Sequence, residues 1–312
     1  MSMAGSAALV AVVDVPYGSM SIKNLPKYLI THDYSTCYSD ISMKILNGSD
    51  LADFIKERQA KQVRNLRQQW KVAPRLAIVS TTDDPVTDKY IQLKQAYGAD
   101  ILIGVDVYSI SQPEVKNKLR QLGSDNSVHG IIVQLPLADP SETDDLLACI
   151  EPSKDVDGLS GHGNFTPATP TAIDWLLVGY GVELAGKKIA IVGHGRLVGA
   201  PLAELWRSQG RDITVVDEDT DILPDEFLEF DIIVTAVGRP GLIKSSQIKK
   251  GAVVVDAATS SDNGRLVGDL DDDVRQRDDL TITPERGGVG PLTVAALFDN
   301  VITAARRVAD QG

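Results

Sequence analysis

Apolar residues recur along this chain in two rhythms that alternate. Arg75 to Val79, Ile101 to Val107 and His129 to Val133 are short, densely aliphatic runs that read as buried strands. Between them the apolar positions fall at helical intervals. Leu51, Phe54, Ile55, Val63, Leu66 and Trp70 form one stripe with charges between, and Ser49 is placed to cap it. Asp84 followed by Pro85 predicts a second helix start, with Gly98 as its stop. A further helical pattern covers Thr143 to Ile150. Strands that alternate with helices at this spacing predict parallel strands joined by crossover helices.

The second half repeats the alternation around one stretch, GKKIAIVGHGRLVGAPLAELWRSQGRDITVVDE. Ile189 to Val192 is a strand by pattern and breaks into Gly193, His194 and Gly195, a bend that glycines turn at low cost. Gly199 and Pro201 open a helical segment, Val198 to Trp206, which ends before Gly210, and a second strand, Ile213 to Val216, ends on Asp217. A helix N-terminus after a glycine turn suits a pyrophosphate, and an acidic residue after the next strand suits a ribose. The spacing is GxGxxxG, one residue wider than the usual fingerprint, so a glycine turn in another kind of α/β protein remains open from this motif alone.

Composition narrows the classes. The chain has 312 residues, which suits about two domains, and 43% of them are hydrophobic, enough for packed cores. Its formal net charge of -12 speaks against a nucleic-acid or anionic-membrane surface, which would need a basic footprint, so any anionic ligand must be held locally. Only Cys37 and Cys149 and four histidines occur, which predicts neither a disulfide framework nor a metal centre and fits a reducing, cytoplasmic setting. Residues 1–43 read as an N-terminal extension of unknown role. The apolar run Ala7 to Val13 has no preceding Lys or Arg and is too short to cross a bilayer, which argues against a signal peptide or anchor.

Three features of the first half could carry chemistry. Tyr90 and Lys94, four apart, share a helix face, as many ordinary exposed pairs do. In GIIVQLPL, Gln134 stands at the carboxyl end of an apolar strand, where parallel sheets place ligand groups, although an amide there can equally satisfy loop backbone. In EPSKDVDG, Asp155 and Asp157 flank a valine before Gly158. They suit turn capping or the presentation of a carboxylate to a cleft, and spacing does not separate the two.

Taken together and in order, these motifs resemble the bifunctional methylenetetrahydrofolate dehydrogenase/methenyltetrahydrofolate cyclohydrolase family. The likeness runs from about Lys44 to the C-terminus. It rests on DPVTDKYIQLK, GIIVQLPL, KDVDG, GHGRLVGAP, TAVGRPGLI from Thr235 to Ile243, and TPERGGVGPLT from Thr283 to Thr293. The resemblance implies an α/β protein of two domains, an N-terminal α/β catalytic domain (44–165 plus 292–312) and a Rossmann dinucleotide-binding domain (166–291), with the last helix returning to the first domain.

It also implies site roles. Lys94 transfers protons, Gln134 holds and tunes that lysine, Tyr90 stacks on the folate ring, Asp157 hydrogen-bonds the pterin, and Gly287, Gly288 and Pro291 shape the cleft. Gly193, His194, Gly195, Arg196, Val198, Gly199, Asp217, Glu218, Val237, Gly238 and Thr259 are implied to line the dinucleotide, with no metal. The implied partners are tetrahydrofolate derivatives and a second copy of the chain in a homodimer. NADP is common in the family, but Asp217 and Glu218 favour NAD, since carboxylates suit ribose hydroxyls and repel a 2′-phosphate. The chain departs from the family pattern in three places: a shorter segment between KDVDG and Pro167, Ala168 where cysteine is common, and Asp256 to Ser260 at a strand end that usually carries glycine and asparagine. Two other readings are weighed beside this one: a non-catalytic or altered-specificity homologue that binds dinucleotide, and a small-acid or amino-acid dehydrogenase of similar two-domain form.

Overall fold

The computed structural model describes residues 44–217, 224–262 and 265–310, so the extension 1–43 lies outside it. All described residues fall in one compact unit. In chain order the elements are β1 (Lys44–Ile45), α1 (Gly48–Gln69), β2 (Arg75–Ser80), α2 (Pro85–Asp100), β3 (Gly104–Ser109), α3 (Gln112–Ser124), β4 (Gly130–Val133), α4 (Thr143–Leu147) and α5 (Ala168–Gly179). There follow β5 (Ile189–Val192), α6 (Gly199–Ser208), β6 (Ile213–Val216), β7 (Ile232–Thr235), β8 (Val253–Asp256), β9 (Ser260–Asp262), β10 (Arg265–Val267), β11 (Thr281–Ile282) and α7 (Val289–Ala309).

Two parallel sheets result, as the alternating pattern predicts. The first lobe holds a three-stranded sheet of order β3-β2-β4. The second holds a six-stranded sheet of order β1-β11-β8-β7-β5-β6, with β9 and β10 as a separate antiparallel hairpin. Lys44 and Ile45, expected with the first domain, instead add a strand beside Thr281 and Ile282 at the edge of the larger sheet. Backbone hydrogen bonds from Lys44 N to Leu280 O and from Leu46 N to Ile282 O fix that position.

The last helix does return to the first lobe. α7 packs along α1 and α5 and touches α2, β2 and β4. Its apolar face, Phe298, Val301, Ile302 and Ala305, is fully buried among Val63, Leu66, Leu76, Ile78 and Ile132. Tyr97 stacks on Phe298 with ring centroids 5.1 Å apart. Among the described residues no helix is long and apolar enough to cross a membrane.

Three boundaries differ from the local signals. The cap of α1 is Asn47, whose side chain accepts from Ser49 N at 3.0 Å, and Ser49 lies inside the first turn. Tertiary contact selects Asn47, because the Tyr180 hydroxyl bonds both its backbone N and its backbone O, each at 3.0 Å. α2 runs through Gly98 to Asp100, and Leu102 takes the left-handed φ of 64° that closes the helix. Gly98 serves packing instead: a Cβ there would lie 2.6 Å from Val105 Cγ2. β3 therefore begins at Gly104, three residues later than the apolar run suggested.

Candidate active site

Two β–α junctions of the first lobe bring the chemical groups together. After β2, Asp84 caps α2 by accepting from Thr87 N at 2.9 Å, with Pro85 at the first helical position. This sets the helix that carries Tyr90 and Lys94 on one face. After β4 the chain delivers Gln134, whose backbone N still bonds Val79 O. Lys94 Nζ donates to Gln134 Oε1 at 2.9 Å, and Gln134 Nε2 donates to Leu135 O at 3.0 Å. The second bond orients the amide so that its oxygen faces the lysine.

The KDVDG loop supplies the third group and resolves its own ambiguity. Asp155 is fully buried and caps the turn, accepting from Gly158 N at 3.1 Å and Ser160 N at 3.0 Å. Asp157 is thereby released from turn duty and acts electrostatically on Lys94. Asn300 of α7 pins the same loop, donating to Val156 O at 2.8 Å and Thr166 O at 3.0 Å. The C-terminal helix thus builds part of the site from far along the chain.

Burial lowers the basicity of Lys94 below the ordinary lysine value, and the charge of Asp157 opposes that shift. Asp157 is pushed up by burial, with Lys94 drawing it down and Asp155 pushing it further up. The group is therefore a partly shielded amine and carboxylate in balance, a setting suited to moving a proton.

A cleft of about 480 Å³ opens beside this group, between α1 and α2 on one side and the C-terminal strand ends of the larger sheet on the other. Tyr90, 37% exposed, lines it together with Thr259, Gly288 and Pro291. At one end of it the start of α1 meets the start of α7 so closely that a Cβ on Gly48 would lie 1.8 Å from Gly288 O. Lys94, Gln134 and Asp157 adjoin this cleft through α2 but do not line it, nor do the residues of the glycine turn.

The glycine turn sits at the carboxyl end of β5. Gly193 has a φ of 94°, and a Cβ on Gly199 would lie 1.8 Å from Gly193 O, so α6 begins pressed against the turn. Nothing lies within 4 Å of where a Cβ of Gly195 would be, so an open cradle faces the start of α6. His194 and Gly195 are exposed, and Val198 precedes the helix with a φ of -133°. A helix start behind an open glycine turn suits a pyrophosphate, because its first backbone N–H groups have no partner within the helix. Asp217 follows β6 directly, and Gly193 N bonds Val216 O at 2.7 Å, which brings the acidic residue beside the turn. Val237 and Gly238 follow β7, next in the sheet. Arg196 is paired with Asp144 of α4, across to the first lobe. Glu218 lies outside the described residues. Among the described residues no group of His, Cys, Asp and Glu is placed to hold a metal.

Comparison with known proteins identifies this arrangement. The family model for the tetrahydrofolate dehydrogenase/cyclohydrolase catalytic domain matches residues 46–157, and that for the NAD(P)-binding domain of the same family matches residues 167–309. The chain belongs to the tetrahydrofolate dehydrogenase/cyclohydrolase family. It is 36% identical over 278 residues to the bifunctional protein FolD of Campylobacter concisus, covering 85% of this chain and 98% of that one. Among solved structures, the bifunctional FolD of Campylobacter jejuni superposes with a TM-score of 0.80 at 33% identity, over 85% of this chain and 99% of that chain. The Trypanosoma brucei enzyme, solved with NADP and an inhibitor, gives 0.79 at 30% identity over 85% and 98%. The second lobe is thus an NAD(P)-binding domain of this family, and a nicotinamide dinucleotide is its cofactor.

Some residues of the site carried no separate sequence signal. Asp155 lay inside a recognised motif but was indistinguishable from Asp157 by spacing. Asn300, Asp144 and the buried Asp269 belong to no functional pattern along the chain, and only folding places them; Asp256 stood out as a departure at a strand end, without a partner to explain it.

Proposed function

We propose that this chain oxidises 5,10-methylenetetrahydrofolate to the 5,10-methenyl form with NAD(P) and hydrolyses that product to 10-formyltetrahydrofolate. The observation that carries the reading is the Lys94 ammonium, held 2.9 Å from Gln134 Oε1 and made less basic by burial, beside the inter-lobe cleft of a chain in this family.

When bound, the nicotinamide supplies the hydride acceptor for the first step. The chain contributes position. Tyr90 offers its ring as a stacking surface for the folate, Asp157 offers a carboxylate to the pterin, and Gly288 and Pro291 bound the cleft. Opening the methenyl cation then needs proton transfer. Neutral Lys94 takes a proton from the water that adds to the methenyl carbon, and it returns a proton to the folate nitrogen as the ring C–N bond breaks. One proton is released overall, because the substrate is a cation and the formyl product is not. Gln134 fixes the lysine for both transfers.

For the cofactor we propose NAD. The position of Asp217 directly after β6 supports this, since a carboxylate there suits ribose hydroxyls and would repel a 2′-phosphate; one pair of like unit charges at about 4 Å and an effective dielectric near 20 costs on the order of 4 kcal/mol. Arg196, the cation that could offset this, is engaged with Asp144. We further propose a homodimer, which sedimentation tests, a cytoplasmic location, which fractionation tests, and domain limits near residues 46–165 plus 292–312 and 166–291, with Lys44 and Ile45 on the edge of the second domain's sheet, which limited proteolysis tests. The central experiment is a spectroscopic assay of the purified chain with methylenetetrahydrofolate and each dinucleotide, for the parent and Asp217→Ser. Turnover with a preference for NAD that Asp217→Ser shifts toward NADP is expected. A parent that prefers NADP tenfold refutes the cofactor assignment, and no turnover with either refutes the activity.

A further inference from the structure

Asp269 is fully buried in the second lobe, and its carboxylate accepts four hydrogen bonds. Thr235 Oγ1 donates at 2.5 Å, Val237 N and Gly238 N at 2.8 Å each, and Arg239 N at 2.6 Å. Three successive amides of one turn thus converge on a single anion, the arrangement in which backbone N–H groups form an anion-binding concavity. Here the protein's own side chain fills it. The four donors are all neutral, so the turn is held in shape by the carboxylate, and the carboxylate is held in the interior by the turn.

A second carboxylate supports the first. Asp256, at the end of β8, accepts from Asp269 N at 3.2 Å and Leu270 N at 3.4 Å, and is paired with Arg275 at 3.2 Å. It also accepts from Ala258 N at 3.3 Å. The segment carrying Asp269 is therefore anchored to the strand end that lines the inter-lobe cleft through Ala257, Ala258 and Thr259.

The turn that Asp269 shapes is not remote from the glycine turn. A Cβ on Gly193 would lie 2.9 Å from both Ala236 O and Val237 Cγ2, so the two turns touch at the carboxyl ends of β5 and β7. Val237 is 46% exposed there, facing outward from the sheet end. We propose that Asp269 is a positioning residue for dinucleotide binding: its buried carboxylate sets the Val237–Arg239 turn against the Gly193 turn and so fixes the wall along which the cofactor lies. This rests on the second lobe being the dinucleotide domain, and not on the choice between NAD and NADP.

The test uses the full chain with Asp269→Asn, in which the amide NH2 can no longer accept and at least one backbone donor loses its partner. Direct titration with NAD and NADP should show a Kd raised tenfold or more. Dehydrogenase KM for the dinucleotide should rise in parallel while kcat at saturation stays within threefold. Methenyltetrahydrofolate hydrolysis without dinucleotide should stay within twofold, because Lys94 and Gln134 belong to the other lobe. An unchanged Kd overturns the proposal, as does a hydrolysis rate that falls in step with dinucleotide affinity, which marks a general structural role. Should Asp269→Asn fail to fold, Thr235→Val removes one donor without changing shape; a threefold or greater rise in Kd is expected, and no rise overturns the proposal. The parent titration separates the two failures. A parent that binds neither dinucleotide refutes the role of the lobe and this inference with it, whereas equal binding by parent and variant refutes Asp269 alone.

Discussion

Lys94 shows how a common residue acquires a special task. On an open helix face it would remain protonated; here burial disfavours the cation, Asp157 limits how far that goes, and Gln134 holds the amine in place. Lys94→Met should abolish methenyltetrahydrofolate hydrolysis while leaving dinucleotide Kd within about twofold, since the side chain lies in the first lobe. Unaltered hydrolysis in a folded variant removes the lysine from the mechanism. Asp157 raises the lysine's proton affinity, so Asp157→Asn should lower it further. The rising limb of the hydrolysis pH profile, where Lys94 loses its proton, should then move to lower pH. A limb that stays in place, or moves up, contradicts the electrostatic coupling. The same substitution should weaken folate binding by about 1 to 3 kcal/mol if the carboxylate pairs with buried donors of the pterin, which inhibitor titration measures.

At the scale of elements, α7 does two jobs that share one set of contacts. Its buried face closes the first-lobe core, and half-buried Asn300 ties down the KDVDG loop. Phe298 joins these roles to the cleft, because it stacks on Tyr97, whose hydroxyl donates to Gln59 Oε1 at 2.8 Å, and Gln59 in turn donates to Ala295 O at 2.8 Å. Phe298→Ala should cost about 3–5 kcal/mol, as truncation of a fully buried aromatic does. Denaturant unfolding measures it, and a loss below about 1 kcal/mol means the helix is not integral to the core. Asn300→Ala should cost less, about 1–3 kcal/mol in the same measurement, because the Val156 carbonyl loses its donor, and should lower the steady-state hydrolysis rate as the loop bearing Asp157 loses two anchors.

For the molecule as a whole, acid stability depends on a group outside the site. His129 is buried at the start of β4, and its Nδ1 accepts from Arg75 N at 3.3 Å, which requires the neutral ring. Burial first, then the charges of Lys154 and Arg75, hold its pKa below the ordinary histidine value. The unfolded chain therefore takes up a proton near pH 6.5 that the folded chain refuses until lower pH, so this contribution is present above about pH 6.5 and is lost as pH falls toward the folded value. The slope reaches about 1.4 kcal/mol per pH unit for one proton. His129→Gln should flatten the fall of unfolding free energy below pH 6.5 relative to the parent. Equal slopes in the two proteins show that other groups dominate.

Much of this protein is legible in its sequence. Local propensity and periodicity determine that β2, β4, β5 and β6 are strands, that Asp84 and Pro85 start a helix, and that the sheets are parallel, because those outcomes depend on side-chain pattern within a few residues. Motif order determines the family, and with it which lysine, glutamine and aspartate to examine. What folding alone decided is partnership between distant residues. Asn47 takes the cap from Ser49 because Tyr180 reaches it. Lys44 and Ile45 join the far sheet because Thr281 and Ile282 offer an edge. Asp155 turns the loop so that Asp157 is left for Lys94, and Asp269 collects amides from a turn some thirty positions earlier in the chain. In each case a backbone or side-chain group takes a partner that the pattern of neighbouring residues does not name. A buried hydrogen-bonding group must find a partner wherever the fold brings one, and pattern along the chain carries no record of which one that is.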